Sequence, residues 1–230
     1  MRKWRQELHE RLRGMSAPRI LSFNELWKIA NTVKEDIEVR SVRRFVMEAE
    51  TSGAFRRVRK GLWINDNAIP TPSVAEAAAH VRKDAVVSLQ TVLGDAGILN
   101  NFSSQVYAVL PVDPATRPNT GSVKTAVTTF HFRGIDREVI EAGAETDRFV
   151  PFLTYRRATP EAALVHWIHL ANTRLSTMTI PDTQCDVSHL DMDRLERLSE
   201  AAGVRAEVFA FVDACRDREK LDDSQAGWVF

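Results

Sequence analysis

The stretch VRSVRRFVMEAETSGAFRRVRKGLWIN, residues 39–65, decides the fold of the N-terminal part of this chain. Four of its apolar residues recur at the spacing of a buried helix face: Val42, Phe45, Val46 and Ala49. Gly53 follows where that helix should end. From residue 54 onward, apolar and basic residues alternate around Lys60–Gly61. The stretch therefore predicts a helix that is followed directly by a two-stranded hairpin.

Two further helices are predicted ahead of this stretch. The first is amphipathic, ends near Gly14, and has these apolar residues at helical spacing: Trp4, Leu8, Leu12 and Met15. The second begins at Ser22, which forms a capping box with Glu25. Three short helices before a basic hairpin indicate a winged helix-turn-helix, in which the third helix enters the major groove of DNA.

Eight polar side chains of residues 39–65 are the candidate DNA contacts. The predicted third helix carries four of them, with Arg40, Arg43 and Arg44 on the face opposite its apolar stripe and Ser41 on the same helix. Arg43, Arg44 and Ser41 are the candidates for base edges, because Arg reads guanine bidentately and Ser can bind several bases. The hairpin carries the candidates for phosphate contacts: Arg56, Arg57, Arg59 and Lys60. The alternative is a solvated basic face that only keeps the domain soluble.

The charge distribution points to the same half of the chain. The 230 residues carry 31 Lys and Arg against 31 Asp and Glu, but residues 1–60 hold 15 basic and 8 acidic side chains. An anionic partner is therefore expected for this segment and not for the acidic remainder. Since no apolar run approaches the length of a membrane span, we expect a cytoplasmic protein with no membrane partner. Cys185 and Cys215 are expected to be reduced thiols in that compartment.

A second domain is predicted after the segment DNAIPTP, residues 66–72, so the domains are expected at 1–66 and 67–230. Helix and strand signals alternate from residue 73, with Ser73 and Ser88 as predicted helix caps. Strand-like runs should form a mixed or antiparallel sheet, and they lie at Gln105–Leu110, Val123–Thr129, His131–Arg133 and Phe149–Tyr155. Helices starting near Thr159 and Ser188 should end the domain. The expected fold class is α/β of the α+β type, with a helical C-terminal end.

Motifs of enzymes are missing from the sequence. It has no GxGxxG, GxxxxGK[ST], GxSxG or HExxH, and Gly121–Ser122 lacks the Asp pair of a nucleotidyltransferase. The sequence therefore predicts no catalytic activity, no cofactor and no metal. One set of side chains has ligand types suited to zinc, although packing and helix-end roles explain its members better: His166, His169, Cys185 and His189.

Several motifs together resemble a known family. They are RRVRKGLWIN, then DAVVSLQTVLGDAGILNN, then YAVLP, and finally RRATPEAALVHWIHLAN, which spread over residues 20 to 175. In this order they resemble the AbiEi-type antitoxins of bacterial abortive-infection and type IV toxin–antitoxin systems. Lys60, Gly61 and Trp63 match the end of the family's wing, and Thr159–Glu161 match the start of a later helix.

The resemblance implies two roles. The N-terminal domain would repress the system's own promoter by binding double-stranded operator DNA, and the C-terminal domain would help to neutralise a cognate nucleotidyltransferase-type toxin. A single winged helix buries little surface, so a homodimer on inverted repeats is expected. Two alternatives stay open: a ligand-sensing winged-helix regulator unrelated to a toxin, and an enzyme with an appended DNA-binding domain.

Overall fold

A computed structural model describes residues 3–100, 103–112, 121–143, 155–173 and 176–226, with no side-chain description beyond residue 221. The chain divides into two compact units. The first comprises Met1–Lys83 and Val123–Thr129, and the second comprises Asp84–Ser122 and Phe130–Phe230. Both units combine helices with strands, so the expected α+β class is confirmed.

The first unit begins with three helices and a small sheet. Its elements are α1 (Lys3–Arg11), β1 (Ile20–Ser22), α2 (Phe23–Val33), α3 (Val39–Thr51), β2 (Phe55–Arg59) and β3 (Leu62–Asn65). The strands form an antiparallel sheet in the order β1-β3-β2. The three predicted helices and the hairpin are all present. The strand β1 was not predicted, because three residues are too few to show a period of two.

One core joins these elements. Trp4, Leu8 and Leu12 pack from the α1 side, and the predicted stripe of α3 is fully buried against Phe55 and Trp63. The capping box of α2 is formed as predicted, with Glu25 N donating to Ser22 Oγ at 3.2 Å and Ser22 N donating to the Glu25 carboxylate at 2.8 Å. Met15 is an exception to the predicted stripe, since it is 67% exposed. It follows the end of α1 at Arg11, so the helical period no longer applies to it.

Residues 66–82 belong to the first unit, beyond the boundary expected at residue 66. They include a 3-10 turn (Val74–Ala77) and α4 (Ala78–Val81), which begin with the predicted capping box of Ser73 and Glu76. The Arg19 guanidinium binds both carboxylate oxygens of Glu76, at 2.6 and 2.7 Å, and it also contacts the Pro70 carbonyl. This ion pair is almost completely buried and attaches the segment to the unit. The composition of DNAIPTP could not reveal that attachment.

The remaining described elements of the chain are a mixed sheet and five helices. The strands of the sheet have the order β4-β5-β7-β6, with β4 antiparallel and β7 parallel to β5. The strands are β4 (Val86–Val87), β5 (Val106–Val112), β6 (Gly121–Lys124) and β7 (Thr129–Asp136). The helices are α5 (Leu89–Asp95), α6 (Arg137–Ala142), α7 (Pro160–Asn172), α8 (Met192–Ala201) and α9 (Arg205–Ala226).

Several predicted bounds in this region were wrong. Residues 125–128 form a turn between β6 and β7, so Val123–Thr129 is not one strand. Thr125 stabilises the turn, because its backbone N–H and its hydroxyl both donate to the Thr128 carbonyl. Asp191, and not Ser188, caps α8 by accepting from Arg194 N at 3.0 Å. The predicted strand at Phe149–Tyr155 lies outside the described residues except for Tyr155, and the tail from residue 227 lies outside them as well.

Candidate nucleic-acid interface

The helix α3 exposes a basic face. Its 13 residues form a helix because the apolar period of residues 42–49 matches one face, which the core covers completely. Gly53, with a φ of +76°, allows the chain to turn directly into β2. The opposite face carries exposed side chains that the core does not use: Arg40, Arg43, Arg44 and Met47. Ser41 is half-buried in the first turn of the same helix. All three predicted base-edge residues, Arg43, Arg44 and Ser41, therefore lie on one helix.

The surroundings of these arginines differ. Arg44 Nε lies 3.1 Å from Glu48 Oε1, and Glu48 also accepts from Arg5 on α1. The Arg43 guanidinium lies 5.8 Å from the centre of the Phe23 ring, within the range of a cation–π contact. Arg40 forms no hydrogen bond or ion pair with any described residue. The Arg44 side chain is 78% exposed, so its pair with Glu48 contributes only about 0.3–0.5 kcal/mol. A stronger acceptor could replace Glu48 at little cost.

The acidic side chains at the end of α3 have local partners. Glu50 accepts a hydrogen bond from the indole Nε1 of Trp63 on β3. Glu48 is shared between Arg5 and Arg44. These contacts reduce the unfavourable charge that both carboxylates would otherwise present to an anion beside the helix. Glu48 thus offsets part of the positive charge of Arg44, whereas Arg40 and Arg43 form no ion pair with any described residue.

A β-bulge distributes the basic residues of the hairpin over two faces. The antiparallel register pairs Phe55 with Asn65, Arg56 with Ile64, and Arg57 with Trp63, but then Arg59 with Leu62. The extra residue in this register is Val58, which is buried. Since paired residues share a face, Arg57 lies on the face of Phe55 and Trp63, which packs against the helices. Arg56 and Arg59 lie on the opposite face.

The opposite face is the one that residues 66–82 approach. Arg56 binds Asp66 bidentately, with Nε at 2.6 Å and Nη2 at 2.7 Å from its carboxylate oxygens. This hydrogen bonding raises the pKa of Arg56 above its usual value. Arg56 also donates to the Pro72 carbonyl at 3.2 Å, and Arg59 donates to the His80 carbonyl at 2.8 Å. The structure thus gives two of the four predicted hairpin contacts an internal partner.

Arg57 and Lys60 differ from these two residues. Both are exposed, and neither forms a hydrogen bond or an ion pair within the described parts of the chain. Lys60 precedes Gly61, whose φ of +79° forms the tight turn between β2 and β3. Arg57 is on the sheet face that packs against the helices, one of which is α3. Strand alternation separates Arg57 from Arg56, but the sequence does not show that Asp66 binds Arg56 and leaves Arg57 exposed.

The side chains considered for zinc are not brought together. His166 is buried and lies 2.9 Å from Ser88 Oγ through Nδ1, whereas His189 is largely exposed and 3.7 Å from Asp186. His169 instead contacts the Ala202 carbonyl through Nδ1 at 3.2 Å. Within the described ranges, no group of three or more His, Cys, Asp or Glu side chains could hold a metal ion. Nor does any described helix have the length and apolar character needed to cross a membrane.

Comparison with known proteins supports the fold. No protein-family model matches this chain, and no curated protein matches it. A solved structure that is similar to it is the crystal structure of the RV2827C protein from Mycobacterium tuberculosis, with a TM-score of 0.50 and 15% sequence identity. The match covers 93% of this chain and 80% of that chain. At this identity the likeness concerns the fold alone.

Proposed function

We propose that the first unit binds double-stranded DNA as a winged helix-turn-helix. In this proposal α3 enters the major groove and the turn between β2 and β3 is the wing. The observation that carries it is the exposed basic face of α3, directly followed in the chain by a hairpin whose turn presents Lys60. The order α1-β1-α2-α3-β2-β3 supports the proposal, because it brings the helices and the hairpin around one core.

The side chains of α3 have the chemistry for reading base edges. Arg43 and Arg44 can each donate two hydrogen bonds to the O6 and N7 atoms of guanine. On binding DNA, the Arg44 guanidinium would leave Glu48 and bind the base. Loss of this ion pair costs little free energy, because the Arg44 side chain is exposed. Ser41 and Arg40 lie in the first turn of α3, and the N-terminal residues of a recognition helix are the ones that approach the bases.

The wing residues divide into phosphate contacts and positioning residues. We assign the phosphate contacts to Arg57 and Lys60, which have no partner among the described residues. Arg56 and Arg59 are the positioning residues, since their hydrogen bonds attach residues 66–82 to the hairpin. This narrows the set of four that the sequence predicted, because a guanidinium committed to Asp66 has fewer donors for a phosphate.

The biological role that we propose is repression of the protein's own operon, together with antitoxin action against a nucleotidyltransferase-type toxin. This role depends on the resemblance of the sequence motifs to the AbiEi-type antitoxins. The net negative charge of residues 61–230 favours a protein partner over DNA for the second unit. A cytoplasmic homodimer on an inverted repeat completes the proposal. An adjacent nucleotidyltransferase gene would favour this role, whereas a metabolic operon would favour the ligand-sensing alternative.

Fluorescence anisotropy of the full chain tests the proposal. The duplexes are the DNA immediately upstream of the gene and a scrambled sequence of the same length, each at two salt concentrations. We expect preference for the upstream duplex, and the variants Arg43→Ala and Arg44→Ala should each lose about 1–3 kcal/mol on that duplex only. Arg205→Ala is the matched control, because Arg205 is an exposed arginine of the second unit. Equal binding of both duplexes would contradict sequence-specific repression.

A further inference from the structure

The second unit contains a cavity of about 40 Å³ beside α7. Residues of the second unit line it: Val86, Ile140, Gly143, Arg156, Arg157, Ala158 and His166. Its volume is about three times what a single water molecule needs. Neither the proposed DNA contacts nor the sequence motifs give this cavity a role.

A buried histidine nitrogen without a partner lines this cavity. His166 is 1% exposed, its Nδ1 lies 2.9 Å from Ser88 Oγ, and its Nε2 has no hydrogen-bond partner. Ser88 is completely buried, and its hydroxyl has no other acceptor among the described residues. We assign the hydroxyl as the donor and Nδ1 as the acceptor, which is the tautomer with the ring hydrogen on Nε2. His166 Nε2 therefore has no hydrogen bond of good geometry, although the Val139 backbone interacts with the ring.

Two arginines add further donors. Arg157 donates from Nη1 to Asp95 at 2.7 Å, while its Nε is buried and without a partner. Arg156 forms no ion pair with any described residue. Backbone hydrogen bonds fix both residues, because Val87 N donates to the Arg156 carbonyl and Ala158 N donates to the Val87 carbonyl. The donors are therefore held by the sheet and are not at the end of a free loop.

The absence of a side chain at Gly143 leaves space in the cavity beside His166. A Cβ atom built at this position would lie 2.8 Å from Ala162 Cβ and 3.7 Å from His166 Nε2. Any other residue would therefore force α7 away or place its side chain beside the imidazole. The glycine lets the backbone approach α7 closely while the space next to Nε2 stays open.

We propose that this cavity binds a small oxyanion of the size of phosphate, held by His166 Nε2–H and by the guanidinium groups of Arg156 and Arg157. The polar side chains that line it can all donate hydrogen bonds, and Arg157 and His166 have buried nitrogens without a hydrogen bond of good geometry. Such nitrogens normally have a bound water or ion. Water could satisfy these donors, but an oxyanion would in addition compensate the charge of Arg156, which forms no ion pair with any described residue; Arg157 is already paired with Asp95 at 2.7 Å.

Burial keeps His166 in its neutral form. Burial lowers the pKa of His166 to about 4, although the backbone of Val139 acts in the opposite direction and His169 lowers it further. The imidazole is therefore neutral at pH 7. A bound anion would stabilise the imidazolium and raise this pKa. The histidine consequently provides a spectroscopic probe of occupancy.

The first measurement is a titration of the full chain with inorganic phosphate at constant ionic strength, with chloride as the reference salt. We expect saturable binding by calorimetry and a matching shift of the His166 ring resonances in the NMR spectrum. The thermal midpoint should rise with phosphate and stay constant with chloride. Absence of a phosphate-specific shift at His166 would overturn the proposal and leave the cavity to water.

Two variants locate the site. Arg156→Gln removes an exposed side chain and should fold normally, and it should weaken phosphate binding about tenfold or more. Arg57→Gln, which we place at the DNA interface, should leave phosphate binding unchanged. Phosphate binding that is lost in Arg57→Gln and kept in Arg156→Gln would place the ion on the basic face of the first unit and refute the inference. DNA binding is measured separately, so either proposal can fail alone.

A titration with adenosine monophosphate shows whether the cavity binds free phosphate or the phosphate group of a larger molecule. Both free phosphate and a terminal phosphate monoester fit the inferred chemistry. Binding of the nucleotide with the same His166 shift would show that the cavity accepts a phosphate on a larger molecule. Binding of free phosphate alone would show that it accepts only the isolated ion. If neither compound binds, the proposal is wrong.

Discussion

Arg56 and Arg57 provide the sharpest test of the interface, because substitutions of these two neighbouring arginines are expected to have different effects. Arg57→Gln removes a proposed phosphate contact and no internal contact. Arg56→Gln removes the two hydrogen bonds of 2.6 and 2.7 Å to Asp66. We therefore expect Arg57→Gln to weaken DNA binding without destabilising the fold, and Arg56→Gln to destabilise the fold without changing the salt dependence of binding.

The magnitudes follow from the two environments. Hydrogen bonds between charged groups contribute about 1.5–3 kcal/mol when buried. The Arg56 side chain is 39% exposed and Asp66 is 18% exposed, so solvent screening reduces the expected loss of unfolding free energy to about 1–2 kcal/mol. For Arg57→Gln the change should stay within about 0.5 kcal/mol, as for other surface substitutions.

Loss of one phosphate contact has a defined effect on DNA binding. The slope of log K against log salt should become less steep by about 0.9 for Arg57→Gln. Between 50 and 200 mM salt, this corresponds to a change of about three- to fourfold in the affinity ratio of variant and wild type. The same change should appear with the upstream and the scrambled duplex, because a phosphate contact carries no sequence information.

The assays are urea unfolding for stability and anisotropy at four salt concentrations for binding. Asp66→Asn is the matched control for Arg56, since it breaks the same pair from the other side and keeps the guanidinium. It should be destabilised by a similar amount. The reasoning would be refuted if Arg56→Gln reduced the salt slope as much as Arg57→Gln while its urea midpoint stayed unchanged.

Three further results are expected. Glu76→Ala should lose about 3 kcal/mol of unfolding free energy by urea titration, because it leaves the Arg19 charge buried without its carboxylate; a loss below 1 kcal/mol would contradict this. Ser22→Ala should lose about 1 kcal/mol of unfolding free energy in the same assay. The double variant with Glu25→Ala should lose less than the sum of the two single losses, because both residues form one capping box. The pKa of His166 is lowered to about 4, so the unfolded chain binds more protons between about pH 4 and its ordinary pKa of 6.5. Stability should therefore be complete above pH 6.5 and fall toward pH 4 by about 3 kcal/mol, and His166→Gln should remove this dependence.

Local spacing determined the helices and the hairpin of the first unit. The period of residues 42–49 predicts α3, and the buried residues are those of the predicted stripe. The capping boxes at Ser22 and Ser73 were recognisable for the same reason, because their partners are three residues away. The basic face of α3 also followed from the sequence, since a helix that buries one side must expose the other.

Tertiary structure decided which polar side chains remain available. The alternation of β2 places Arg56 and Arg57 on different faces, the bulge at Val58 places Arg59 on the face of Arg56, and Arg56 binds Asp66. Ser88 was predicted only as a helix cap, but its hydroxyl instead contacts His166, 78 residues later. Periodicity and capping act over a few residues, so the sequence by itself determined the elements and their exposed faces. Ion pairs and buried hydrogen bonds join residues far apart in the chain, and only the folded structure shows which donors they leave free.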